Sequence, residues 1–329
     1  MRAWLLQSLG GLEKLKLEDA PDPQPADGEA VIRVLYAGLN PADRYLTEGQ
    51  YPARPTFPHI LGRDGIGIVE SLGKNAGDFK VGEKVALVRS EIGVNRAGTF
   101  AERVAVPVES LVRPPPDWSD QESAGATLVY LTAFQAITQW PDLPGQGVVL
   151  ISGASGGVGV ATVHLAKAMG HTVIGLSRSA EKSEKLRQLG ADALFDPNDT
   201  QLRRRIKEFL KDRRVDLAID NIGGSLFSQM IDVLAENGRV SCVGRLAGPV
   251  PQFNTATLFF RRIQIRGVTI SAYTASQSCQ HWIEIVRILK QSGARPIVDS
   301  VFPFDRLLDA FERLHAGPMG KVLLRVTGS

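Results

Sequence analysis

The residues with the clearest chemical signature are Gly153-Ala154-Ser155-Gly156-Gly157-Val158-Gly159, which follow the apolar run Val148-Val149-Leu150-Ile151 and lead into a helical pattern from Val158 to Met169. Glycine permits a tight turn and lets backbone N–H groups approach an anion closely, and the helix N-terminus adds a partial positive charge. Strand, glycines and helix in this order are the arrangement that holds a dinucleotide pyrophosphate. The spacing departs from a strict G-x-G-x-x-G, and a strand-to-helix turn with no ligand is the competing reading.

The end of the next strand selects the dinucleotide. A site built for an unphosphorylated ribose places an acid there, about twenty residues after the glycines. This chain reads Gly175-Leu176-Ser177-Arg178-Ser179, with Lys182 one turn further on. No carboxylate stands at the strand end, and Arg178 and Lys182 suit a 2′-phosphate. NADPH is therefore expected over NADH; the competing reading is a solvated basic helix start.

These groups need a scaffold, and the apolar patterning describes one. From about residue 120, strand and helix patterns alternate: strands at 148–151, 172–176, 193–195, 215–219 and 239–243, with helices at 158–169, 180–189, 201–211 and 226–235 between them. Repeated units of this length predict a doubly wound parallel sheet of the Rossmann kind. Residues 1–120 instead carry short β-like runs at 30–37, 65–70 and 84–88, broken by glycine and proline, which predict a mostly antiparallel β-rich domain. The tail carries helices at 281–290 and 305–314 and a last strand at 322–326. It is too short for a domain of its own, so the expected division is 1–120 plus 266–329 against an inserted nucleotide domain, 121–265.

With these residues in hand, the chain resembles the zinc-free quinone oxidoreductase (zeta-crystallin-like) branch of the medium-chain dehydrogenase/reductase superfamily. The resemblance rests on Gly38-Leu39-Asn40-Pro41-Ala42-Asp43, Tyr45, Gly49-Gln50-Tyr51-Pro52 and Leu61-Gly62-Arg63-Asp64-Gly65-Ile66-Gly67. It continues through Gly98–Glu102, Tyr130–Phe134, the glycine turn and Asp220-Asn221-Ile222-Gly223-Gly224. It implies an α/β protein: a GroES-like catalytic domain, a Rossmann nucleotide-binding domain, and a cleft where nicotinamide and acceptor meet. Asn40, Tyr45 and Tyr51 are expected to be the catalytic side chains at the nicotinamide end. Ser155, Gly156, Gly157, Val158 and Gly159 are expected to cradle the pyrophosphate, and Ser177, Arg178 and Lys182 to read the 2′-phosphate. Thr132 is expected at the nicotinamide ribose or carboxamide, Asn221, Val243 and Gly244 beneath the cofactor, and Lys321 closing over it.

The implied activity is hydride transfer from NADPH to a quinone or an α,β-unsaturated carbonyl, with Tyr51 the first candidate for proton delivery. An NADPH-binding structural or redox-sensing protein with little turnover is the competing reading. Zinc relatives carry a cysteine and a Gly-His-Glu segment where this chain has Asn40 and Gly62-Arg63-Asp64. Its five histidines and two cysteines show no ligand spacing, so no metal is expected. The net charge of +3 is spread along the chain, and the basic stretch at 203–214 is interleaved with Glu208 and Asp212. A solvated helix face is expected there, with no nucleic-acid partner. No apolar run approaches the roughly 20 residues of a membrane span, and no secretory signal is recognised, so a cytoplasmic protein is expected. The resemblance also implies a dimer or a tetramer, of which a homodimer is expected.

Overall fold

A computed structural model describes residues 1–88 and 91–327. Strand β1 (Arg2–Leu6) is buried over its last four residues and pairs antiparallel with β2 (Leu15–Asp19). Strand β3 (Glu29–Gly38) is followed by helix α1 (Pro41–Thr47), the short β4 (His59–Ile60), β5 (Gly65–Leu72) and β6 (Lys84–Leu87). Then come β7 (Arg103–Pro107), β8 (Leu111–Val112), α2 (Asp120–Ala124) and α3 (Thr127–Thr138). β3 is the spine of this region: it is buried at most positions and pairs antiparallel with β5 along nearly its whole length.

The next segment carries β9 (Val148–Ile151), α4 (Gly157–Ala168), β10 (Thr172–Leu176), α5 (Ala180–Gln188), β11 (Ala193–Phe195) and α6 (Leu202–Leu210). It continues with β12 (Val215–Asp220), α7 (Leu226–Asp232), β13 (Leu234–Cys242), α8 (Ala256–Arg261) and β14 (Gln264–Gly267). All six strands are parallel, in the order β11-β10-β9-β12-β13-β14. β9 is apolar at all four positions because helices cover both faces of such a sheet, and each of its residues is fully buried. The chain leaves β9 to one side for β10 and β11 and returns on the other for β12, so β9 stands at the switch point where open α/β sheets bind ligands.

The tail adds α9 (Ala275–Ser292), β15 (Val298–Pro303), α10 (Leu307–His315) and β16 (Lys321–Arg325). β16 pairs with β3 over Tyr36–Gly38, while β7 takes the same strand over Glu29–Arg33. The resulting seven-stranded sheet runs β15-β16-β3-β5-β6-β8 with β7 beside β3, and a three-stranded sheet, β2-β1-β4, completes the unit.

The compact units are Met1–Leu128 with Ile270–Ile283 and Arg295–Ser329, and Val129–Thr269 with Glu284–Ala294. This division starts the second unit later than the expected residue 121 and gives it part of α9, which the expected boundaries leave whole in the first. One element also differs in kind. The helix expected over 226–235 stops at Asp232, and β13 already begins at Leu234. Leu234 pairs with Val215, the register then shifts, and Asn237 turns the chain at φ +57° before Arg239 pairs with Leu217. The polar residues of this bulge read as a helix end because the pairing partner lies outside their own window. Among the described residues no helix is long and apolar enough to cross a membrane.

Inside the second unit, α4 buries His164 against Tyr130 of α3, with the phenol oxygen and Nδ1 at 2.7 Å. Burial pushes the imidazole down to about 4. The unfolded chain then takes up a proton below the ordinary histidine range while the folded one does not, so this residue's contribution to stability falls as pH drops from 6.5 towards 4. Between pH 7 and pH 5 it is expected to remove about 2 kcal/mol, measured as the difference between wild type and His164→Gln in urea unfolding. Equal pH dependence in both proteins would show that His164 ionises freely in the fold.

Candidate functional site

The glycine turn is held by close backbone approaches that side chains would prevent. Gly153 lies at φ +58°, and a Cβ there would sit 2.8 Å from Cδ1 of Ile222. A Cβ on Gly159 would sit 2.3 Å from the Gly153 carbonyl oxygen, so the first turn of α4 rests directly on the turn before it. Gly156, by contrast, has nothing nearer than that same oxygen at 3.5 Å. It is also the N-cap residue of α4, and among the described residues no side chain caps the helix. The N–H groups of Gly157, Val158 and Gly159 therefore have no side-chain acceptor, which leaves them available to an anion.

The neighbouring strand ends are fastened to this turn. Ser152 Oγ donates to Asp220 Oδ1 at 2.7 Å, and that oxygen also accepts the N–H groups of Ile222 (3.1 Å) and Gly223 (3.0 Å). Asn221 donates through its backbone N–H to Ser152 Oγ (2.9 Å) and through Nδ2 to Ser152 O (2.8 Å). Its Oδ1 stays buried without a partner among the described residues. Val243 and Gly244 both donate to the Asp220 carbonyl, at 2.9 and 3.1 Å, and a Cβ on Gly244 would lie 2.3 Å from the Asn221 oxygen. Ser152 and Asp220 thus set the geometry, and sequence reasoning assigned neither a role.

After β10, Ser177 is buried and donates its N–H to Phe195 O. Arg178 is exposed and has no ion-pair partner among the described residues. Lys182 is half-buried in the first turn of α5, whose N-cap Ser179 accepts its backbone N–H at 3.3 Å. Ser155–Gly159, Asn221, Val243, Gly244 and the 177–182 segment all follow the C-terminal ends of the parallel strands. Thr132 sits half-buried on α3. Turn, open helix end and basic strand end together fit a phosphorylated dinucleotide.

In the first unit, Asn40 caps α1, with Pro41 at its first position and Asp43 closing a capping box by accepting the Asn40 N–H at 2.9 Å. Asp43 also accepts Arg63 Nε at 3.2 Å, and both side chains are buried. Burial pushes the Asp43 carboxyl above its ordinary value, against the pull of Arg63. Arg63 Nη1 donates to the Tyr51 hydroxyl at 3.1 Å, with the guanidinium carbon 4.7 Å from that ring's centre. Tyr45 is half-buried on α1. The structure thus links Asn40 and Tyr51 through Asp43 and Arg63. The pairing of Asn40 with Asp43 was readable as a helix-start pattern; the bond from Arg63 was not.

Lys321 has a different occupation from the one expected. Its ammonium donates to Leu39 O (2.9 Å), Asn40 Oδ1 (2.8 Å) and Asp64 Oδ2 (3.0 Å), and Thr127 donates to the other Asp64 oxygen at 2.9 Å. Asp64 is fully buried and Lys321 nearly so. All three ammonium protons are used within the unit, so the residue holds β16 to the start of α1.

This network occupies the positions at which zinc relatives carry ligands. Arg63 is a cation where a histidine would bind, and the oxygen of the Asn40 side chain is taken by Lys321. Among the described residues no group of three His, Cys, Asp or Glu side chains is placed to hold a metal ion. The donor set does not fit zinc.

Residues 26–116 match the family described as alcohol dehydrogenase GroES-like domain, and residues 157–287 the one described as zinc-binding dehydrogenase. The chain is 30% identical over 328 residues to the quinone oxidoreductase of Rattus norvegicus, covering 98% of this chain and 97% of that protein. A solved quinone oxidoreductase of Pseudomonas syringae superposes with a TM-score of 0.89 at 26% identity, covering 98% of this chain and 99% of that one. A mycobacterial protein solved in complex with NADPH gives a TM-score of 0.89 at 27% identity, covering 99% of each chain. Matched along nearly its whole length, and with an ionic network at the zinc positions, the chain belongs to the zinc-free quinone oxidoreductase branch of the medium-chain dehydrogenase/reductase superfamily.

Proposed function

We propose that this protein is an NADPH-dependent reductase of quinones or α,β-unsaturated carbonyl compounds. The observation that carries the reading is the open glycine turn at the end of β9 combined with Arg178 and Lys182 after β10, where Ser177-Arg178-Ser179 puts no carboxylate at the strand end. NADPH, when bound, supplies the hydride. Ser155, Gly156, Gly157, Val158 and Gly159 hold its pyrophosphate, and Ser177, Arg178 and Lys182 hold the 2′-phosphate. Thr132, Asn221, Val243 and Gly244 hold the nicotinamide half.

Negative charge that develops on the acceptor oxygen needs a donor in place beforehand. The Tyr51 hydroxyl suits this role because its oxygen already accepts a bond from Arg63, which leaves its own proton to donate. The buried Arg63 charge behind it favours the same charge development, and linked hydrogen bonds of this kind strengthen one another. Asn40 has one Nδ2 proton engaged with Gly38 O, which leaves one for the acceptor. Tyr45 is the third donor we assign to this end.

The test follows NADPH oxidation against a panel of quinones, enones and enals, with NADH in parallel. Fast turnover of one acceptor class with NADPH is expected; tight NADPH binding with no acceptor reduced would make this a binding protein instead. Tyr51→Phe is expected to lower turnover by about 100-fold with NADPH affinity intact, and unchanged turnover would take Tyr51 out of the reaction. Arg178→Gln with Lys182→Gln is expected to weaken NADPH about tenfold or more and leave NADH unaffected. We also infer a homodimer. Phe259 and Phe260 are exposed beside the edge strand β14, on which Ile265 is exposed too, and sedimentation of the pure protein reads the assembly directly.

A further inference from the structure

Away from the glycine turn, the parallel-sheet unit holds a cavity of about 470 Å³ lined by residues of α6, α8, the end of α7, the start of β13 and the turn before β12. Helix α6 buries Leu202, Ile206 and Leu210, which puts Arg203 and Lys207 on its outer side, one turn apart and facing this space. Like charges at this spacing repel each other. Arg214 and Arg261 add two more cations, against the carboxylates of Asp232 and Glu236.

The nearby acids do not neutralise this cluster. Glu208 pairs with Arg204 at 2.7 Å and Asp199 with Arg205 at 2.8 Å. Asp232 reaches Arg203 only at 3.8 Å. Arg261 spends its guanidinium on the carbonyls of Ile231 (2.7 Å) and Leu234 (2.8 Å), which fixes its charge at the cavity wall. Lys207 is half-buried and its ammonium makes no hydrogen bond or ion pair among the described residues. Burial, then Arg203, Arg214 and Arg261, push that amine below its ordinary value, with Asp232 alone opposing them.

A half-buried lysine without a counter-ion, in a recess of small-molecule size, lacks an anion. We propose that this cavity binds a small phosphate-bearing molecule, with Lys207 and Arg203 as its principal contacts. The recess favours a compact ligand. An extended nucleic-acid backbone would also have to run past Glu208, which lies outside the recess and repels phosphate, whereas within it four cations outnumber the carboxylates of Asp232 and Glu236. The site is separate from the dinucleotide turn, so it stands whether or not NADPH is the cofactor.

Inorganic pyrophosphate titrated calorimetrically into the full chain at low salt tests this. Saturable binding is expected, weakened about tenfold or more by Lys207→Gln and likewise by Arg203→Gln. Arg203 is exposed and Lys207 lies half-buried outside the apolar face of α6, so each variant is expected to unfold at the wild-type urea midpoint, and NADPH affinity is expected to stay unchanged. Absence of saturable binding, or binding that survives both substitutions, overturns the proposal, since pyrophosphate would then sit at the glycine turn or nowhere. A single-stranded oligonucleotide that binds tighter than pyrophosphate and is lost in Lys207→Gln also overturns it, in favour of a polymer surface.

Discussion

Lys321→Met is expected to cost about 3–5 kcal/mol of folding stability, read from urea unfolding. The substitution keeps the stem but leaves Asp64 fully buried with the Thr127 hydroxyl in place of a cation. A buried carboxylate that loses its partner retains the full cost of leaving water. The double variant Lys321→Met/Asp64→Asn removes both charges and is expected to recover most of the loss. A loss below about 1 kcal/mol in the single variant would mean that water reaches Asp64, since exposed pairs are worth no more than that. The same protein separates the two roles considered for this lysine. With Nζ committed to Leu39, Asn40 and Asp64, NADPH affinity of the folded variant is expected to match wild type; a lysine that closed over the cofactor would show the reverse, weak binding in a stable protein.

Gly159→Ala is the second change with a large expected effect. Its new methyl would sit 2.3 Å from the Gly153 oxygen and 2.6 Å from the Ala154 carbonyl carbon. These are backbone atoms in a turn already tied to Leu176, so α4 must shift or the turn must open. Overpacking of this kind costs about 1–3 kcal/mol. The displaced N–H groups are expected to weaken NADPH by at least about tenfold. Gly156→Ala is the internal control: its methyl finds only ordinary contact at 3.5 Å, and stability within about 1 kcal/mol of wild type is expected. Equal destabilisation by both changes would show that the turn is set by glycine's backbone freedom in general and not by the approach at Gly159.

The parallel-sheet unit was legible because its signals are local. Strands 172–176 and 193–195 have the residues expected, since short apolar runs between turn residues are the local signal of strands in a parallel sheet. The two-residue strands His59–Ile60 and Leu111–Val112 had no such signal, because only their partners β1 and β6 make them strands. The same limit applies to the site. Glycines, Arg178 and Lys182 lie within one βαβ stretch, and their types announce an anion. The network of Asp43, Arg63, Asp64 and Lys321 is assembled across the sheet, and nothing near Lys321 names Asp64 as its partner. Lys321 was therefore expected to close over the cofactor, and Arg63 read only as a missing histidine.

The sharing of β3 between β7 and β16 has a consequence for the order in which the chain becomes structured. β16 lies inside its sheet, between β15 and β3, yet in sequence it follows every other described strand. Tyr36–Gly38 must wait for Leu323–Arg325, while strands β9 to β14 of the other unit are all available well before. At ~5–20 residues per second the wait lasts on the order of tens of seconds. The unit that starts first in sequence is thus completed second, and until then β3 carries an open apolar edge for which a chaperone or a neighbouring nascent chain can compete.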